Sequence, residues 1–386
     1  MIVLPLLGRL AVSLLLVAAA TAWTVSARDK VSMQAAATAP PDIDAAPGHW
    51  VERARGKVPM PTGVLAAHAS ALVAMPDSDS SALSVFWFAG DRESAPNVEI
   101  VASHFNRSSQ TWSAPETVVN RHVAAGVLGA GIRRLGNPVA WLDPRGRLHL
   151  FVVATGLGGW AAARILHLEQ SSPAGDGALQ FQPVGVVPLS WLWNLSYLVR
   201  TAPQPLADGG MVIPAYFEFG VKTPVALRFD RNGAFMGMTR ISRRTFTLQP
   251  ALLTLSPSQW LALMRDHSRD GKVRASETVD GGATWRDTGD LALPNPDAGI
   301  ATLSVGDMHL LAYNPSRENR NALTLATSRA GTDWSAVIEL ERGQEGHEYS
   351  YPAMAWADNS LWVSYTDRRK SIAWRRFDWK SGAAAP

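Results

Sequence analysis

Short apolar runs separated by turn residues dominate the chain from Trp50 to its end. Ala82–Phe88, Leu148–Val153, Met211–Tyr216, Trp260–Met264, Met308–Tyr313 and Leu361–Tyr365 are the clearest. No helical period extends over more than two turns between them, so the runs predict strands. Asp143-Pro144-Arg145-Gly146, Ala207-Asp208-Gly209-Gly210 and Asp280-Gly281-Gly282 supply the turn chemistry that separates them. The pattern predicts an all-β chain of many short strands.

Composition agrees and narrows the class. Of 386 residues, 47% are hydrophobic and only 18% charged, below the roughly 25% of an ordinary soluble domain, which excludes disorder and a coiled coil. The 31 glycines and 25 prolines suit many turns better than long helices. A net charge of +3 arises from scattered basic residues with no long run, which argues against a nucleic-acid partner and leaves an acidic small ligand open. With no cysteine, disulfides, thiolate metal sites and cysteine nucleophiles are excluded. The nine histidines are too scattered to suggest a metal cluster, and no cofactor is implied; Gly156-Leu157-Gly158-Gly159 reads as a turn and not as a phosphate loop.

Leu10–Thr24 is almost wholly apolar, with Arg9 before it, Arg28 and Lys30 after it, and small residues at Ala20-Thr21-Ala22. This predicts an export signal cleaved after Ala22 or retained as a membrane anchor within residues 1–26. The protein is then expected in the periplasm or outside the cell, touching membrane only through that segment. An Ala/Pro-rich linker follows over 27–48, and the folded domain is expected over 49–386.

Internal repetition is the most informative signal. Thr278-Val279-Asp280-Gly281-Gly282-Ala283-Thr284-Trp285 fits Ser/Thr-x-Asp-x-Gly-x-Thr-Trp, an Asp-box, in which Asp and Gly shape a tight turn and Trp packs beneath it. Degenerate copies span Phe105 to Trp112 and Thr327 to Trp334. Trp285 and Trp334 lie 49 residues apart and Trp112 and Trp285 lie 173 apart, near one and three units of the same length. The 338 residues after the linker hold six units of roughly 56 residues, which predicts a six-bladed β-propeller of four-stranded blades.

Asp-boxes in a propeller of this size resemble the sialidase (neuraminidase) superfamily. Trp87–Glu93, Leu248-Gln249-Pro250, Ala262–Asp266, Leu293–Pro296, Tyr313-Asn314-Pro315, Glu348–Pro352 and Tyr365–Arg369 are similar to its bacterial predicted-neuraminidase branch with BNR repeats. The resemblance implies hydrolysis of a terminal acidic sugar. Three arginines clamp its carboxylate, an Asp serves as acid/base, and a Glu-activated Tyr attacks the anomeric carbon. Arg265 resembles the second clamp arginine, Arg320 the third, and Tyr349 the nucleophile, with Tyr351 on the same strand face if the segment is extended.

Three positions depart from the pattern. His68-Ala69-Ser70 stands where the first clamp arginine belongs, Asn97 where the acid/base Asp falls, and Gln249 where the activating Glu falls. Asp91 or Glu93 could take the acid role, and Glu348 or Glu218 the activating one. Arg92, Arg200 and Asp266 complete the expected pocket, with Asn97 and Gln249 as polar contacts. Alternatively, His68 and Tyr349 could abstract and donate protons in β-elimination of a uronic acid, or the propeller could bind an acidic glycan without turning it over.

Overall fold

The computed structural model describes residues 8, 11–19, 33–36, 48–171, 179–191, 193–268 and 270–382. Residues 11–19 form a helix, α1, on which Leu14, Leu15 and Leu16 are exposed. No helix among the described residues is long and apolar enough to cross a membrane. The expected cleavage site at Ala20–Ala22 and most of the expected linker lie outside the described residues.

Strand β1 (Gly48–Lys57) opens the domain, and six antiparallel sheets follow. The first blade contains β2 (Ala66–Ala74), β3 (Ser81–Gly90), β4 (Glu99–Asn106) and β5 (Thr111–Trp112), with β6 (Glu116–Val119) also pairing β4. An eight-residue helix, α2 (Arg121–Leu128), leads to the second blade, β7 (Arg134–Leu142), β8 (Leu148–Thr155), β9 (Arg164–Gln170) and β10 (Phe181–Val186). The third is β11 (Tyr197–Val199), β13 (Met211–Phe217), β14 (Thr223–Phe229) and β15 (Phe235–Arg240), with β12 (Gln204–Pro205) on β13. The fourth is β16 (Thr247–Thr254), β17 (Trp260–Asp266), β18 (Arg274–Thr278) and β19 (Arg286–Asp287). The fifth is β20 (Ala301–Val305), β21 (Met308–Tyr313), β22 (Ala322–Ser328) and β23 (Ser335–Arg342). The last, β24 (Tyr349–Ala357), β25 (Ser360–Asp367) and β26 (Ser371–Ser381), takes β1 as its outer strand, from Gly48 opposite Ser381 to Lys57 opposite Ala373. That pairing closes the ring and removes a free sheet edge. The six-bladed propeller is therefore as the repeat spacing predicts.

Each of the six apolar runs is the second strand of a blade. They read as continuous rather than alternating because a blade is covered by a neighbour on both faces. In β3, Phe86 and Phe88 pack toward the second blade, whereas Val85, Trp87 and Ala89 pack toward the sixth. In β17, Leu261 and Leu263 face the fifth blade, and Trp260, Ala262 and Met264 the third. The core accordingly divides into six apolar clusters, one at each blade interface.

The three Asp-box turns join the third and fourth strands of the first, fourth and fifth blades, which matches their spacing. In the full copy, Asp280 Oδ1 accepts from Thr284 N (2.9 Å) and from Thr278 Oγ1 (2.7 Å), and Trp285 Nε1 donates to Gly282 O (3.1 Å). Residues 33–36 seat against this turn. Met33 N donates to Gly281 O (3.0 Å), Ala35 N to Pro257 O (2.8 Å), and Ala36 N to Pro205 O (2.9 Å), burying Met33 and Ala35 between the third and fourth blades. A Cβ at residue 281 would fall 1.5 Å from Met33 O, and φ there is +66°, so both the close approach and the turn require glycine. Because strands alternate in direction, the Asp-boxes share the back of the propeller. The starts of the first strands and the second-to-third-strand loops share the front.

Candidate active site

The front of the axis is shaped by β-bulges near the starts of β2, β7, β16 and β24, where the register breaks between His68 and Ala71, Gly136 and Pro138, Leu248 and Ala251, and Ser350 and Ala353. Three of them hold a non-glycine residue in the left-handed region: Ala69 (φ 53°), Gln249 (φ 47°) and Tyr351 (φ 52°). Such backbone costs about 1–3 kcal/mol per residue and concentrates at functional sites. In β24, Ser350 pairs Thr366 and Ala353 pairs Ser364, so Tyr351 and Pro352 together face Tyr365.

This bulge corrects the assignment of Tyr349. An extended segment would put Tyr349 and Tyr351 on one face, but the left-handed Tyr351 breaks the alternation. The Tyr349 ring, 7% exposed, packs between the fifth and sixth blades, 6.5 Å from that of Tyr365, and burial pushes its phenol up. Tyr351 turns to the axis instead. Its ring lies 4.4 Å from that of His68 and 5.2 Å from the Arg200 guanidinium, and its hydroxyl accepts from Arg265 Nη1 at 3.4 Å.

Around Tyr351 the groups are closely arranged. Gln249 accepts from Arg265 Nη1 (3.2 Å) and donates to the Tyr216 hydroxyl (3.3 Å). A Cβ on Gly299 would stand 2.9 Å from Gln249 Oε1 and 3.4 Å from Arg200 Nε, so a side chain there would displace the Gln249 amide. Arg200 donates to Ile300 O (3.2 Å) and Pro352 O (2.5 Å), and among the described residues no carboxylate forms an ion pair with it. Burial lowers its pKa to about 10. His68, 2% exposed, has no hydrogen-bond partner on either ring nitrogen among the described residues. Burial, with the charge of Arg369 next, lowers it to about 3, so the imidazole is neutral at physiological pH.

A chain of alternating charges runs outward from this centre. Arg265 Nε donates to Asp297 Oδ1 (2.5 Å), whose other oxygen pairs with His267 Nδ1 (2.9 Å). Arg320 binds Asp297 O and Glu348 Oε1, the latter at 3.1 Å. Arg369 donates to both Glu348 oxygens (2.7 and 3.2 Å) and to Glu93. Burial opposes the charge on Glu348, but hydrogen bonds from Arg369 and Ser350 hold its pKa at about 2.

Of the residues expected from sequence, His68, Arg200, Gln249, Arg265, Arg320, Glu348 and Glu93 thus fall in one connected site. Asp91, Arg92 and Asn97 do not join it: all three are exposed, and among the described residues Asn97 Oδ1 accepts only from Asp91 N, at 3.4 Å. Asp266 turns away to pair with Arg274 (3.0 Å), and Glu218 sits beside Tyr216 and pairs with Lys222 (3.8 Å). Tyr216, His267, Asp297 and Arg369 are additions. Arg369 ends the Tyr365–Arg369 motif, whereas Tyr216 merely ends an apolar run and carries no separate signal.

Solved sialidases superpose on this arrangement of blades. They include the Hadza microbial sialidase Hz136 (TM-score 0.66, 15% identity, 82% of this chain and 66% of that one). Another is Trypanosoma rangeli sialidase in complex with the inhibitor DANA (TM-score 0.64, 15% identity, 86% and 60%). A protein of unknown function from Dyadobacter fermentans matches over 99% of its own length and 86% of this chain (TM-score 0.65, 12% identity). The fold is that of the sialidase propellers. Residues 81–363 match the BNR repeat-like domain family, and the chain belongs to that family. It spans about two thirds or less of the length of the two sialidases. No curated protein matches it.

Proposed function

We propose that this propeller is a sialidase-type exo-glycosidase that removes a terminal acidic sugar, sialic acid or a relative, from a glycan. The observation that carries the reading is the Tyr351 hydroxyl, 3.4 Å from Arg265 Nη1 and at the inner end of an arginine network drawn from the last three blades. Guanidinium forks match a carboxylate bidentately and would orient the sugar over Tyr351. Tyr351 Oη then bonds to the anomeric carbon while the glycosidic C–O bond breaks, its electron pair going to the leaving oxygen. Glu93, displaced from Arg369 by the sugar carboxylate and protonated from solvent, supplies the proton to that oxygen, while the phenolic proton of Tyr351 goes to water as the Arg265 and Arg200 guanidiniums stabilise the phenolate. In the second step water attacks the same carbon and its proton passes to Glu93, while Tyr351 departs as the phenolate held by Arg265 and takes a proton back from water.

The contact of His68 with Tyr351 also favours a second reading, β-elimination of a uronic acid with His68 as base and Tyr351 as proton donor. Products separate the two. Incubation with sialylated and with uronic-acid glycans should release free sialic acid, measured by chromatography; an ultraviolet-absorbing unsaturated uronide would favour the second reading, and binding without either product would refute both. The apolar N-terminal segment supports export to the periplasm or beyond, where such glycans occur, and recovery of the chain only from cytosol would refute this.

A further inference from the structure

We infer that Arg369 is the third arginine of the carboxylate clamp, supplied by the β25–β26 hairpin of the sixth blade in place of the arginine that the first blade lacks. The inference rests on the reading of the pocket as an acidic-sugar site. Arg265 ends the second strand of the fourth blade, Arg320 lies in the second-to-third-strand loop of the fifth, and Arg369 in that loop of the sixth. Three consecutive blades therefore deliver a guanidinium from corresponding positions. The same Asp297 and Glu348 link them in sequence.

Arg369 also stands next to the vacated position. Its carbonyl accepts from Ala67 N (3.1 Å), which ties the hairpin to the residue before His68. Arg368 and Arg369 are both left-handed, with φ 52° and 58°, as the tight turn closed by Lys370 N donating to Asp367 O (3.0 Å) requires of its two central residues. Arg368 turns to Asp367 (2.8 Å), while Arg369 turns inward over Glu348. Its head is half-exposed, so a ligand can reach it. Arg200, by contrast, is buried beneath Tyr351, with one bond from each Nη to a backbone carbonyl.

Glu93, from the front loop of the first blade, occupies Arg369 Nη1. A ligand carboxylate competes with it for that donor, so Glu93 weakens the ground-state affinity for acidic sugars. Displaced from Arg369, it is released at the pocket mouth, where the leaving oxygen needs a proton.

The test is calorimetry with sialic acid, glucuronic acid and the methyl ester of sialic acid. Arg369→Ala should weaken binding of the acids roughly 10- to 100-fold, as expected for loss of a charge-assisted contact, and leave the uncharged ester unaffected. Arg369→Lys, which keeps the charge without the fork, should recover part of the loss. Glu93→Gln should tighten binding of the acids and not of the ester. A purely structural ion pair would shift melting and leave the acid-to-ester ratio unchanged, and that result overturns the inference. If Arg265→Ala loses the acids while Arg369→Ala keeps them, the inference fails and the reading of the pocket stands. Should both variants bind as wild type does, or wild type bind neither acid, both fail.

Discussion

Replacing Tyr351 by Phe removes one oxygen from the centre of the site and leaves the ring against His68 and Arg200 in place. The lost hydrogen bond to Arg265 is 3.4 Å long, beyond the roughly 2.9 Å optimum, so it contributes at the low end, about 0.5–1 kcal/mol. Affinity for sialic acid should then fall no more than about fivefold. Turnover should fall far more, on the order of 10^3- to 10^6-fold, because the atom proposed to bond to the anomeric carbon is gone. Tyr349→Phe is the matched control. Its ring packs in the interface of the fifth and sixth blades, so turnover should stay at the wild-type level and stability should change by less than about 1 kcal/mol. Both variants are to be assayed for free sugar by chromatography and for ligand binding by calorimetry. Turnover by Tyr351→Phe within tenfold of wild type, or its loss in Tyr349→Phe alone, would refute the reasoning.

Three further outcomes follow from the packing and the charges. Trp362, fully buried between the sixth and first blades with Phe105, Trp112 and Trp374, should cost about 3–5 kcal/mol on substitution by Ala, measured by denaturant unfolding. Asp280→Ala removes the acceptor for Thr284 and Thr278 at the back of the propeller and should lower stability by about 1–2 kcal/mol while kcat/KM stays unchanged. His68 and His167 are held neutral by burial, with pKa values of about 3 against 6.5 unfolded. The unfolded chain then binds more protons between those values, so stability is full above pH 6.5 and is lost as pH falls, by about 2 kcal/mol per imidazole at pH 5. Unfolding midpoints across pH 7.5 to 5 check this, and His167→Leu should flatten the slope. A slope that His167→Leu leaves unaltered would exclude His167 as a source.

Much of the architecture was legible because propeller blades repeat local physics. An Asp-box turn is made by residues within eight positions of one another, and the continuous apolar runs reflect a sheet packed on both faces. Arg265 and Arg320 were recoverable for a similar reason. Arg265 sits near a strand end and Arg320 in a loop just before a strand, each next to a recognisable motif, and the local element alone brings each to the front.

Tertiary structure decided the rest. Which tyrosine faces the axis depends on a single left-handed residue in β24, and the bulge that enforces it is set by pairing with β25, which the composition of Glu348–Pro352 does not encode. The role proposed for Arg369 depends on ring closure, because its neighbours Glu93 and Ala67 are separated from it by five blades of sequence and become adjacent only when β1 joins β26. Asp91, Arg92 and Asn97, placed near Glu93 by sequence, remain outside the site because their loop turns them to solvent. Blade period and turn chemistry are short-range and written in the chain. The site is a contact between blades, and its membership is a property of the closed ring.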